Sequence, residues 1–155
     1  MTDLVLADRR DSRLRLTFNR PDRLNALNAE MLTAAAEAVE AAAADPGVRV
    51  VVLTGAGRAF SSGADLTGGG DPTGTLDAAN RLTWALRQVP KPVLAAVNGP
   101  AVGVGCSFAL AADLTVARES AYFLLAFAKV GLMPDGGATA LLPALIGHAR
   151  ASRMT

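Results

Sequence analysis

One cysteine, Cys106, and one histidine, His148, are all that the 155 residues contain of either type. A disulfide framework needs paired cysteines and a structural zinc site needs a Cys/His cluster, so neither is expected. Charge of one sign is also missing: fifteen basic residues face fourteen acidic ones for a net +1, and no Lys/Arg cluster stands out. The electrostatic footprint of a nucleic-acid partner is therefore absent. The opening "MTDLVLADRRDSRL" interrupts its short apolar runs with charge and has no signal-peptide core, so a reducing, cytoplasmic setting is the expectation. Residues 93–112 lack charge for the length of a membrane span, but Asn98, Pro100 and three glycines break the run in the middle. No membrane partner is expected.

What is present suits one globular domain of ordinary size, with 51% hydrophobic residues to build a core. "RLRLTF" (13–18) alternates as a half-buried strand does, and "NRPDRLNALN" (19–28) is turn chemistry around Pro21. Asn28 then reads as the N-cap of a helix that stops at "DPG" (45–47). The β-branched run "VRVVVLTG" (48–55) predicts a fully buried parallel strand, and "KPVLAAVNG" (91–99) a second. Between them, 75–90 reads as an amphipathic helix with Leu82, Leu86 and Val89 in step and Trp84 as a packing residue. A helix over 105–112, a strand at "LTVA" (114–117) and a strand near "AYFLL" (121–125) follow. Strand and helix alternate throughout, which predicts an α/β architecture with a partly parallel sheet.

Two glycine-rich loops come directly after the two buried strands, "GAGRAFSSGADL" (55–66) and "NGPAVGVGCS" (98–107). Open α/β sheets bind ligands at the carboxyl ends of their strands, where these loops fall, and glycine lets a ligand approach bare main chain. Familiar phosphate sites do not fit. Gly103 and Gly105 are followed by Phe108 instead of completing a dinucleotide fingerprint, and no lysine lies between 55 and 90 to complete a P-loop. Ser61, Ser62 and Ser107 are not in a nucleophile elbow, and only His148, near a helix end, could serve any of them as base.

Four stretches in order, "NRPDRLNALN", "VVVLTGAGRAFSSGADL", "AAVNGPAVGVGCSFALAADLTVA" and "KVGLMPDGGATALLPALIG", resemble the crotonase family of enoyl-CoA hydratases and isomerases. The resemblance spans residues 3–150 and implies a spiral of repeated ββα units whose C-terminal helical layer is missing, so the domain is expected to be incomplete at that end. It further implies an acyl-CoA thioester as substrate, with coenzyme A entering as part of it and no tightly bound cofactor or metal. By motif position the main-chain N–H groups of Ala64 and Val104 become an oxyanion hole for the thioester oxygen. The coenzyme A moiety would run along Arg23, Leu24, Ala26, Ser62, Asp65 and Leu66, with Gly103, Ser107 and Phe127 also at the substrate. Asp65 could equally cap a following helix. The resemblance also implies a homo-oligomer, a trimer or dimer of trimers, and an apolar fraction near one half leads to the expectation of self-association.

The pattern departs from the hydratases at two places. Their paired glutamates fall on Ser107 and Phe127, and neither a hydroxyl nor a phenyl ring is a general base near neutral pH, so two-glutamate hydration is not expected. Ser107 then lines the pocket or caps a helix. Asp135, in "GLMPDGGAT", occupies the position at which isomerase branches of the family carry their single carboxylate, and it also reads as N-cap of a helix over 136–145. Double-bond isomerisation with Asp135 as base is the first expectation. Another acyl-CoA reaction and a non-catalytic acyl-CoA-binding role stand as alternatives.

Overall fold

The computed structural model describes residues 3–67 and 72–155. The chain starts with an antiparallel hairpin, β1 (Val5–Arg10) and β2 (Arg13–Phe18), whose tight turn holds Asp11 and Ser12 at positive φ. A single 3-10 turn, Pro21–Arg23, leads into helix α1 (Ala29–Ala44). The helix begins where expected because the Asn28 side chain accepts a hydrogen bond from the Met31 N–H, satisfying one of the donors a helix start leaves open. It ends against Lys91, whose ammonium donates to the carbonyls of Ala42 and Asp45.

β3 (Val50–Gly55), β4 (Val93–Val97) and β6 (Leu114–Ala117) then add in parallel to β2, giving a five-stranded sheet in the order β1-β2-β3-β4-β6. Between them run α2 (Pro72–Gln88), the two-residue β5 (Ala101–Val102) and α3 (Val104–Ala111). β7 (Phe123–Leu124), a 3-10 turn over Phe127–Val130, α4 (Ala138–Ile146) and α5 (His148–Met154) complete the chain. The ββα repeat is visible in the pairing. β5 and β7 run parallel in a small second sheet, and Ser61, downstream of β3, bridges to Ala101, so each turn of chain lends a strand to the large sheet and a short rung to the small one.

The main core lies between the large sheet and α1, α2 and α3. Leu14, Leu16 and Phe18 of β2, Val51 and Leu53 of β3, and Val93, Ala95 and Val97 of β4 face Met31, Leu32, Ala35 and Val39 of α1 and Leu82 and Leu86 of α2. Phe18 meets Phe60 edge-on at 5.8 Å and lies 6.3 Å from Phe108, joining sheet, loop and α3 in one aromatic contact. Cys106, Leu125, Phe127, Ala138, Leu142 and Ala151 form a second, smaller cluster beneath α4.

Three expectations are corrected. Neither β3 nor β4 is buried on both faces: Val51, Leu53, Val93, Ala95 and Val97 are buried, whereas Val50, Val52, Thr54, Leu94 and Ala96 are half-buried, because the helices of this chain cover one face of the sheet. Trp84 does not pack but stands 65% exposed, since Leu82 and Leu86 already turn the apolar face of α2 inward and Trp84 falls on the outer side. The last long helix starts at Ala138 with Gly137 as its N-cap, so Asp135 does not cap it. Two successive glycines at positive φ, Gly136 (56°) and Gly137 (82°), hold the chain out of helical geometry until then. Residues 93–112 form β4, a loop, β5 and α3, and among the described residues no helix is long and apolar enough to cross a membrane.

Candidate functional site

The two glycine loops meet side by side. Ser61 pairs with Ala101 as a parallel bridge, with the Ser61 N–H donating to Pro100 and the Val102 N–H to Ser61, and two residues further on Gly63 lies against Val102 and Gly103. The approach is close: a Cβ on Gly63 would come within 3.0 Å of the Val102 carbonyl oxygen, and one on Gly103 within 3.7 Å of Gly63 Cα. Both glycines hold positive φ, 95° and 54°, which frees the peptides after them from the ladder. Among the described residues no acceptor is bonded to the N–H of Ala64 or of Val104. Val104 is the first residue of α3, where helix N–H groups lack intrahelical partners in any case.

Side-chain amides lock the first loop. Asn25, fully buried at φ 55°, donates to the carbonyls of Ala56 and Ala59 at 2.9 and 2.8 Å and accepts from the Arg20 N–H at 2.9 Å. From the other side Asn98 accepts from the Gly55 N–H at 3.1 Å and donates to Gly57 and Ala59. The buried Ser61 hydroxyl donates to Asn25 and accepts from the Gly63 N–H. It is wholly engaged in the scaffold. The sequence pattern did not single out Asn25; the signal was an amide in a turn with two polar loops to join.

A cleft of about 380 Å3 opens beside this loop, lined by Asp22, Arg23, Leu24, Ala26, Arg58, Ser62, Ala64, Asp65, Leu66 and Thr67. It gathers all six residues assigned to the coenzyme A moiety together with Ala64. Arg58 was missed, although a basic residue inside a glycine loop at the end of a buried strand is a readable hint. Arg23 and Arg58 are exposed at the rim. Asp65 does not cap a helix. Its carboxylate pairs with Arg20 at 2.8 Å and accepts from the Thr67 hydroxyl and N–H at 2.6 and 3.0 Å, closing a local turn. Those hydrogen bonds, Thr67 foremost, hold it down at about 2 from an ordinary 3.8. Because its folded value is depressed, the stability it contributes is complete above pH 4 and is lost as pH falls through about 2. Acid denaturation of wild type beside Asp65→Asn is expected to show a gap that closes over that interval.

Val104, Ser107 and Asp135 lie beyond the lining of this cleft. The loop holding Asp135 rests on the first turn of α3: a Cβ on Gly136 would meet Ser107 Cβ at 2.8 Å and Val104 Cγ2 at 3.0 Å. Asp135 Oδ1 is buried with no hydrogen-bond partner, and burial pushes the carboxyl above its ordinary 3.8, against a weaker pull from its own main-chain N–H. Ser107 is fully buried and not a helix cap; its hydroxyl donates to the Asp135 carbonyl at 2.9 Å. Phe127 packs in the second cluster with Cys106, whose thiol burial pushes to about 11 and leaves inert. His148 is exposed at the start of α5.

The sequence model of one family, described as Enoyl-CoA hydratase/isomerase, matches residues 8–155. The chain belongs to the enoyl-CoA hydratase/isomerase family. It is 42% identical to the 1,2-epoxyphenylacetyl-CoA isomerase of Escherichia coli K12 over 160 aligned positions, covering 97% of this chain and 61% of that protein. With a probable enoyl-CoA hydratase of Rhodobacter capsulatus it shares 47% identity, covering 90% of this chain and 55% of the other. A solved enoyl-CoA hydratase from Mycobacterium avium subsp. paratuberculosis K-10 superimposes over the whole chain with a TM-score of 0.95 at 47% identity, which is 63% of that structure. The family fold therefore extends over all of this mixed α/β chain, and the chain spans about three fifths of the length of these relatives.

Proposed function

We propose that this site binds an acyl-CoA thioester and shifts its double bond through an enolate held by the Ala64 and Val104 N–H groups, with Asp135 as the base. The observation that carries the reading is that, among the described residues, the N–H groups of Ala64 and Val104 on two adjoining loops are bonded to no acceptor, while the Asp135 loop packed against Val104 holds a buried carboxyl oxygen, Oδ1, without a partner. When a proton leaves the acyl α-carbon, charge moves onto the thioester oxygen, and each preset donor is worth about 3 kcal/mol of stabilisation there. Isomerisation needs one base only, which takes the proton from the α-carbon and returns it to the γ-carbon. The raised proton affinity of Asp135 suits it to both steps. Water addition by a glutamate pair is not available, because Ser107 spends its hydroxyl on a carbonyl and Phe127 packs in a core.

Coenzyme A would lie along the cleft, its phosphates near Arg23 and Arg58, where cation outnumbers the unpaired Asp22 and Asp65 is already matched by Arg20. The test is turnover of 3-enoyl-CoA beside hydration of 2-enoyl-CoA. Faster isomerisation supports the reading, and binding without turnover of either substrate replaces it with a non-catalytic role. Self-association belongs to the same proposal. Leu114, Val116, Leu132, Met133 and Leu145 are exposed, and sedimentation at micromolar concentration is expected to show species larger than a monomer.

A further inference from the structure

The residue at the first glutamate position of the hydratases has a role that its own chemistry cannot supply directly. Ser107 is fully buried, and its hydroxyl, 2.9 Å from the Asp135 carbonyl, is aimed at the loop that carries the carboxyl. The next carbonyl along, that of Gly136, lies 3.2 Å from the Thr83 hydroxyl on α2, which is also 3.1 Å from the Ala79 carbonyl. Two consecutive carbonyls thus lie within hydrogen-bond reach of hydroxyls from two different helices, with the single Thr83 hydrogen shared between Gly136 and Ala79. Nothing comparable holds the Asp135 side chain, whose buried Oδ1 has no partner, so its aim is inherited from the main chain. Ser107 also stands three residues after Val104 on the first turn of α3, and side chains three apart on a helix share a face. Gly136 packs against both.

We infer that Ser107, supported by Thr83, is a positioning residue that fixes Asp135 relative to the Val104 N–H by binding the base-bearing loop to the helix that supplies the donor. The inference rests on the isomerase reading above. A base and an oxyanion donor act on atoms of one substrate, and a displacement of the order of 1 Å between them costs on the order of 100-fold in rate. Without the hydroxyl the Asp135 carbonyl still accepts from the Ala138 N–H at 3.0 Å, so Ser107→Ala removes the tie and leaves that carbonyl satisfied.

The experiment is a double-mutant cycle on 3-enoyl-CoA turnover, with melting temperatures measured for every variant. Ser107→Ala is expected to lower kcat about 10-fold with KM unchanged, and to cause no further loss when Asp135 is already asparagine, because it acts only through that carboxyl. Thr83→Val, which keeps the side-chain shape, is expected to give a smaller loss that disappears in the same background, and it carries the test should Ser107→Ala fail to fold. Losses that persist unchanged in the Asp135→Asn background, or full kcat in the folded single variants, overturn the positioning role alone. Absence of turnover in wild type overturns the isomerase reading and this inference together.

Discussion

Asp135→Asn is expected to lower isomerisation of 3-enoyl-CoA by about 10²–10⁴-fold while leaving ligand affinity near that of wild type. The substitution keeps size and shape and replaces the carboxylate by a neutral amide that cannot act as a base. Asp135 is half-buried, its Oδ1 bonded to nothing, and its main-chain carbonyl is held independently by Ser107 and Ala138, so the loop has no reason to move. Burial raises the carboxyl above 3.8, and the base must be ionised to act. The acid limb of kcat/KM in wild type is therefore expected above that value and to vanish in the variant. Steady-state kinetics across pH, with ligand binding followed separately, checks both parts.

The second large effect is expected at Val104, where the proposed reaction uses the N–H and not the side chain. Val104→Pro deletes that N–H and is expected to lower turnover by about 10²–10³-fold, the usual worth of one oxyanion donor. Position and backbone make the change a fair one. Val104 opens α3, where proline is well tolerated, and Gly103 at φ 54°, ψ −129° occupies the mirror image of extended backbone, which glycine alone adopts freely before a proline. Val104→Gly keeps the donor. It loses buried methyl groups and hence some stability, but its turnover is expected to stay close to wild type. Equal losses in the two variants would mean that packing at Val104, and not its N–H, matters.

Much of this architecture was legible because local chemistry decides it. Asn28 caps α1 through a bond three residues away, and β6 coincides with the run "LTVA". The four motifs carried the family because they hold the glycines and turns that bring the two loops side by side. What was not legible depends on partners far along the chain. Trp84 reads as a core residue until Leu82 and Leu86 are seen to claim the inner face of α2. β3 reads as buried on both faces until α1 and α2 are found against only one. Asp135 reads as a helix cap, yet two left-handed glycines delay the helix and leave the carboxyl unused for capping. Ser107 gives no local sign of its bond to a carbonyl 28 residues away. Asn25 and Arg58, one structural and one at the cleft rim, likewise acquire meaning only when the loops are folded together.

Enolate formation is the step on which the whole account depends, and it can be isolated by giving the protein a saturated acyl-CoA, which can lose and regain its α-proton but cannot isomerise. Mass spectrometry of the thioester in D2O then reads exchange directly. Wild type is expected to introduce deuterium at the α-carbon, with the rate falling by about 100-fold or more in both Asp135→Asn and Val104→Pro. Exchange at the wild-type rate in Asp135→Asn, or bound thioester that never exchanges in wild type, would contradict the account.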